Sequence, residues 1–355
     1  MKIKTEVLKR ALQRVKNFTG NNSLVEIFNH VYLKTENSYL YLYASDAPAS
    51  IKTKVCKAES NKEVNSIVKS KRLVKLINII EDDEVNLSFG EDKLTLITNN
   101  GEYLIPCFIG EFPTLDSNGA EKLFSISGAK LKENIIKVKN TIGKDELRPI
   151  MTGVYFEIVE DKLNNITTSG YELSLTNCDI EAVVEKESFV LSKEITSNIF
   201  SLDNSLVEVM QDERKVYFKS ENTEIEIIKI EGKTPPYYSV IPRNEDYIRI
   251  NKSEFKRAIN KVELFMEERI KATIKDNTLY LESNNEDKKL QGIEEIRIDK
   301  KEGKDITFGF INTYMSNVLN SIQEDYIYIY YSSPERAILI KPNDLDKHLV
   351  MPFKV

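Results

Sequence analysis

Three copies of one helical motif, spaced almost evenly, constrain this chain more than any other feature. Residues 6–15, 129–138 and 253–262 align so that Leu8, Leu131 and Phe255 share one position. Leu12, Ile135 and Ile259 share the next, and Val15, Val138 and Val262 the third. The offsets between copies are 123 and 124 residues. Within each copy the apolar positions fall at i, i+4 and i+7, one stripe of a 3.6-residue helix that has to be buried against another element. A chain of 355 residues is too long for one ordinary core, and this repeat divides it into three units.

A second helix is expected in each unit, near 67–80, 193–202 and 311–322. Around the helices run segments with period-2 alternation, such as 39–43, 93–97, 216–218, 223–227, 278–281 and 326–330. Alternation of this kind describes antiparallel strands with one buried face. The stretches 116–120 and 243–246, each following a Pro-containing segment, read as linkers. The expected class is α+β, three tandem domains at 1–118, 119–243 and 244–355, each with two helices packed on antiparallel sheets.

Composition excludes more than it selects. Hydrophobic residues make up 41% and charged residues 30%, a globular balance, and no segment reaches the ~18 apolar residues of a membrane span. The opening residues form a charged amphipathic helix without an apolar core, so no secretory signal is expected. Cys56, Cys107 and Cys178 are too few and too scattered for a disulfide framework or a zinc site; the expected location is cytoplasmic. His30 and His348 have no second ligand at metal spacing. No Walker A loop, GxGxxG or GxSxG is present. Close Asp/Glu pairs are unavoidable in so charged a chain, and two-carboxylate catalysis needs a cleft geometry that spacing alone does not supply. The expectation is a protein without catalysis, cofactor or metal.

The three leading helices carry 11 basic and 4 acidic residues over 5–17, 129–142 and 253–264, a net +7 in a chain whose total is −6. Lys9, Lys132 and Lys256 share one aligned position and Arg14, Lys137 and Lys261 another. An acidic chain with positive charge gathered on equivalent helices can hold nucleic acid on one surface and repel it elsewhere. No base-reading motif accompanies them, so contacts would be to the backbone, without sequence preference. The alternative for these lysines is the ordinary solvated helix face.

Several segments resemble the bacterial DNA sliding clamp family, the beta subunit of DNA polymerase III. They are the opening Met-Lys-Ile, Glu-Phe-Pro-Thr-Leu-Asp at 111–116, Arg-Pro-Ile-Met-Thr-Gly at 148–153, and Thr-Thr-Ser-Gly-Tyr-Glu-Leu-Ser at 167–174. Further on come Pro-Pro-Tyr-Tyr-Ser-Val-Ile-Pro at 235–242, Gly-Phe-Ile-Asn-Thr-Tyr at 309–314, and the terminal Leu-Val-Met-Pro-Phe-Lys-Val at 349–355. Each is weak alone; their order and spacing over the whole length carry the resemblance.

The resemblance implies a ring of two head-to-tail copies around duplex DNA, opened by an ATP-driven loader, tethering polymerase and other replication or repair proteins. By correspondence, DNA would be met by Lys9, Arg14, Asn21, Asn22, Lys132, Lys137, Arg148, Lys256 and Lys261, although the family often has Arg in the 21–22 loop. A partner's extended peptide, with a Gln and Leu/Phe anchors, would enter a pocket of Met151, Thr168, Gly170, Tyr171, Glu172, Leu173, Pro235, Val240, Met351, Pro352, Phe353 and Val355. Tyr103 and Leu104 would face Leu264 and Phe265 across the seam between copies, since Leu264, Phe265 and Met266 in succession exceed one buried helix face. Glu172 replaces the family's Arg, which is expected to put an anion at the groove's edge and so to change which peptides bind or to disfavour acidic ones. The alternative reading is a clamp-like interaction protein that keeps the pocket without encircling DNA.

Overall fold

The computed structural model describes the chain apart from residues 21–24, 59–63, 235, 244–245, 266–267, 286 and 301–303. Among the described residues six α-helices stand where the apolar stripes require them: α1 (Thr5–Val15), α2 (Ser70–Ile79), α3 (Gly128–Val138), α4 (Ile195–Asn198), α5 (Lys252–Val262) and α6 (Asn312–Ser321). All nine aligned stripe residues, from Leu8 to Val262, are buried. At ~1.5–3 kcal/mol for each such side chain, an upper bound, these positions matter far more than local helix propensity. The weakest match is α4, a single turn continued by the 3-10 turn Ile199–Ser201.

The chain forms two compact units. One comprises Met1–Lys132, Ile180–Val184 and Glu194–Lys229; the other comprises Glu133–Asp179, Glu185–Lys193 and Ile230–Val355. The central repeat is thus shared out between the two. The physical reason is sheet continuity: its two sheets each run on into a sheet of a flanking repeat.

In the first unit a nine-stranded antiparallel sheet runs, in spatial order, Glu181–Ala182, Glu121–Ser127, Leu206–Gln211, Lys215–Lys219, Thr223–Ile228, Ala49–Lys57, Tyr39–Ser45, His30–Glu36, Asn65–Lys69. A four-stranded sheet runs Lys2–Lys4, Glu84–Phe89, Lys93–Ile97, Glu102–Pro106. The nine-stranded sheet of the second unit runs Lys186–Ser192, Gly153–Val159, Lys162–Thr168, Glu172–Asp179, Lys347–Val350, Ile338–Lys341, Tyr326–Tyr330, Tyr247–Asn251, Asp299–Lys300. Its four-stranded sheet runs Leu290–Arg297, Thr278–Asn285, Arg269–Lys275, Ile306–Ile311.

Each nine-stranded sheet therefore contains a seam where strands of two repeats pair. In the first unit Ala49 to Thr53 pair with Ile227 to Thr223. In the second, Glu172 to Leu175 pair with Val350 to Lys347. Among the described residues no helix is long and apolar enough to cross a membrane.

Candidate functional site

The site is built around the second seam. Strand Glu172–Asp179 alternates, as a pleated strand must. Leu173 and Leu175 join Ile166, Leu349, Leu339 and Tyr237 in one apolar cluster. From the opposite face Glu172, Ser174 and Thr176 hydrogen-bond Asn317, His348 and Asp346.

On the apolar side lies a cavity of about 160 Å³ lined by Met151, Thr168, Gly170, Tyr171, Glu172, Leu173, Pro236, Tyr237, Ser239, Val240, Leu349 and Met351. Its volume falls below the ~300–1,000 Å³ of small-molecule sites, so it fits inserted side chains better than a whole ligand. Gly170 forms the tight turn at its mouth with φ +92°. A β-carbon there would stand 3.0 Å from Arg148 Nη1, so a side chain would be both strained and crowded. Tyr171 is half exposed and stacks on Tyr314 of α6, ring centres 5.4 Å apart and planes 5° from parallel. The far wall is the 3-10 turn Tyr237–Val240. It is pinned by the buried Glu157 carboxylate, which accepts hydrogen bonds from the hydroxyls of Tyr237 and Tyr238. Exposed Val240 and Met351 at the rim are apolar surface available to a partner.

Eight of the pocket residues expected from sequence line this cavity: Met151, Thr168, Gly170, Tyr171, Glu172, Leu173, Val240 and Met351. Pro235 lies outside the described residues. Pro352, Phe353 and Val355 do not line it. Phe353 instead bridges to Gly309 through two backbone hydrogen bonds of 3.2 and 2.9 Å, and its ring occupies the space a Gly309 side chain would need. Tyr237, Pro236, Ser239 and Leu349 were missed; the alternation Leu173, Leu175 and the apolar 347–350 strand were the available signal for Leu349.

The expectation that Glu172 sets an anion at the groove's edge is corrected. Alternation turns its side chain to the helix side of the sheet, where Oε1 accepts from Asn317 Nδ2 at 3.0 Å and Oε2 is buried with no partner among the described residues. Burial raises its pKa to about 7, against weaker opposing effects from Asn317, Ser169 and Lys144. The charge at the mouth is that of Arg148, whose Nε donates to Asp145 and whose Nη2 reaches Ser169 O.

Models of the DNA polymerase III beta subunit match the chain end to end: the N-terminal domain at residues 1–116, the central domain at 125–236 and the C-terminal domain at 238–354. This chain belongs to the DNA polymerase III beta subunit family. It is 23% identical to the beta sliding clamp of Rickettsia bellii, over 99% of both chains. The corresponding protein of Staphylococcus epidermidis is also 23% identical, over 92% of both. The structure superposes on the Thermotoga maritima DNA polymerase III beta subunit with a TM-score of 0.92 at 22% identity, covering 100% of this chain and 99% of that one. The Bacillus subtilis DNA polymerase sliding clamp gives 0.90 at 20% identity, covering 100% and 98%. The three-domain α+β clamp architecture and a non-catalytic, processivity-factor role follow from the family.

The aligned cations of the leading helices are the second candidate site, and their structure departs from the aligned-lysine expectation. Lys137 is buried; its Nζ lies 3.0 Å from Asp346 and 3.1 Å from Glu133. Burial lowers its pKa, yet those carboxylates outweigh it and the net shift is upward. It is a structural cation, held by the buried Asp346 just before the 347–350 strand. Arg14 is likewise engaged, donating to Asp203 at 2.5 Å and to Thr223 Oγ1 at 3.0 Å. Lys132 donates to Leu202 O and Asn204 Oδ1, Lys256 to Asn320 Oδ1, and Lys261 to both oxygens of Glu294. Lys9 stands 3.7 Å from Glu6. Arg148 sits beside Gly170 rather than on a leading helix. Asn21 and Asn22 lie outside the described residues, as does Met266.

A cation cluster missed in the sequence is on α2, where Lys71, Arg72 and Lys75 are exposed and Leu73, Val74 and Ile77 face inward. The signal was there: α2 holds three basic residues and no acidic one. Tyr103, Leu104, Leu264 and Phe265 are all exposed, the Phe265 ring lying over Gly292.

Proposed function

We propose that the chain works as a DNA sliding clamp, closing as a head-to-tail dimer around duplex DNA and holding polymerase and clamp-loader subunits by an extended peptide seated in the cavity at the second seam. The observation that carries this reading is the convergence of Met151, Thr168, Gly170, Leu173, Val240 and Met351, from four separate stretches of sequence, on one apolar cavity. The three repeats, with boundaries at 118 and 243, are the units of this design. DNA would be met by the exposed Lys71, Arg72 and Lys75, together with the half-buried Lys9, Lys132 and Lys256. Weak, salt-sensitive backbone contacts suffice when topology does the holding.

The repeat itself supports the dimer. In each seam the strand after the second hairpin of one repeat pairs with the closing strand of the next: 49–57 with 223–228, and 172–179 with 347–350. The third repeat's equivalent strand, Leu290–Arg297, ends its sheet, and so does the first repeat's closing strand, Glu102–Pro106. Carrying the two observed registers forward sets Leu290 opposite Ile105 of a second copy, Gln291 opposite Leu104, Gly292 opposite Tyr103 and Ile293 opposite Glu102. Tyr103 would then meet the Phe265 ring where Gly292 leaves room, and exposed Ile293 and Leu104 would be covered. An uncovered edge of this kind is otherwise an aggregation liability.

The test has two arms. A fluorescein-labelled peptide carrying Gln with Leu and Phe anchors is expected to bind at micromolar concentration and to be displaced by its unlabelled form; absence of binding removes the pocket. In a background with the native cysteines replaced by serine, Gln291→Cys and Leu104→Cys in one chain are expected to crosslink two copies on oxidation. A monomer at micromolar concentration, with no crosslink, removes the ring.

A further inference from the structure

We infer that Glu157 is a positioning residue that fixes the width of the apolar cavity by holding Tyr237 and Tyr238, and thereby decides the size of the anchor side chain a partner peptide can insert. The inference rests on the reading of the cavity as a peptide pocket.

The geometry is specific. Glu157 lies in strand Gly153–Val159, 7% exposed, and its Oε2 accepts three donors: the Tyr237 hydroxyl at 2.5 Å, the Tyr238 hydroxyl, and Asn164 Nδ2 at 3.1 Å. The two tyrosine rings lie 3.9 Å apart, and Tyr155 meets Tyr237 edge-on at 6.0 Å. Tyr238 is 57% exposed as a residue, yet its hydroxyl is turned inward to the same oxygen. The backbone of the turn bonds itself, Ser239 N to Pro236 O. The carboxylate is therefore a polar tie between this turn and the sheet.

Tyr237 also acts as a partition. On one side is the 160 Å³ cavity; on the other is a second hollow of about 20 Å³ lined by Ile150, Gly153, Tyr155 and Ile166. Met151, Thr168 and Tyr237 border both. While its hydroxyl is held, the ring keeps the two spaces apart and the cavity narrow. A carboxylate suits this task because it accepts several donors at once, and its bonds are charge-assisted. With the acceptor gone, the ring is free to tilt towards the smaller hollow and the cavity widens.

Fluorescence anisotropy with two labelled peptides tests this, one with its Leu anchor and one with Trp in that place. Wild type is expected to prefer the Leu peptide by about 10-fold, the scale at which an apolar pocket discriminates size. Glu157→Ala is expected to narrow that preference to about 2-fold, and Glu157→Gln, which keeps one acceptor oxygen, to restore most of it. Tyr237→Phe removes only the hydroxyl and should narrow the preference as Glu157→Ala does, so it decides the matter if Glu157→Ala fails to fold. A wild-type preference carried unchanged by Glu157→Ala or Tyr237→Phe overturns the inference while leaving the pocket standing. Failure of wild type to bind either peptide overturns the pocket reading, and this inference with it.

Discussion

The two seams are built on one plan and end as different places. In both, a turn precedes the pairing strand with the same backbone bond, Asp46 N to Ala49 O in the first and Ser169 N to Glu172 O in the second. In both, the repeat-equivalent cation of the leading helix pins the incoming strand from beneath: Arg14 reaches Thr223, and Lys137 reaches Asp346. The surfaces differ. The hollow beside the first seam, about 230 Å³, is lined by Lys52, Lys54, Lys219, Glu221 and Glu224. It is larger than the cavity at the second seam, yet polar. Lys52 is already paired with Glu36, and Lys54 lies over the Tyr39 ring. A peptide's apolar anchors gain nothing there, whereas Leu173, Val240 and Met351 offer area that water leaves readily. Lining, not volume, separates the first seam from the docking site proposed at the second.

The comparison can be broken most severely from below. Lys137→Ala leaves Asp346 buried without its cation and is expected to lower stability by ~3–5 kcal/mol, read by urea unfolding. It should leave the salt dependence of DNA binding unaltered; a shallower salt slope would show that Lys137 meets phosphate after all. By contrast Arg72→Ala should reduce that slope by about 1 with stability unchanged.

Next in size, Met351→Asp puts a charge in the apolar cavity and is expected to weaken the labelled peptide by about 100-fold, some ~2.7 kcal/mol. Equal binding by the variant would place the peptide elsewhere.

The polar layer under the second seam makes opposite predictions at the two ends of the pH scale. Glu172 is raised by burial from the ordinary 4.5 to about 7, so its contribution is fully present below pH 4.5 and is lost as pH rises through 7. Glu172→Gln should therefore gain on wild type with rising pH, by ~2–3 kcal/mol at pH 8, and match it near pH 4.5. His348, wholly enclosed, is lowered to about 4 by burial, so wild type loses stability as pH falls from 6.5 towards 4. Unfolding midpoints at pH 4, 6 and 8 read both; a flat Glu172→Gln difference would mean that the carboxyl is solvated.

The smallest effect belongs to the first seam. Lys52→Ala removes a partly exposed pair with Glu36 and should change stability by no more than ~1 kcal/mol, with peptide affinity within about 2-fold of wild type. A larger loss of peptide binding would make the first seam a second docking site.

Sequence alone determined the repeat, because a buried helix stripe must recur at 3.6 residues and Leu8, Ile135 and Val262 have no alternative position. It determined the strands by alternation, and most of the cavity through the resemblance of 148–153, 167–174 and 235–242. Only the tertiary structure decided where the cations went. Lys9, Lys132 and Lys137 look alike in a string, but Lys137 meets a carboxylate 209 residues away, Asp346, and that partner sets whether a lysine is a pillar or a surface charge. Likewise, strand alternation fixes that Glu172 and Leu173 point oppositely, while which side holds the cavity depends on what the 237–240 turn and the 347–350 strand bring to it. Local periodicity is an intrinsic property of a segment; the identity of its long-range partner is not.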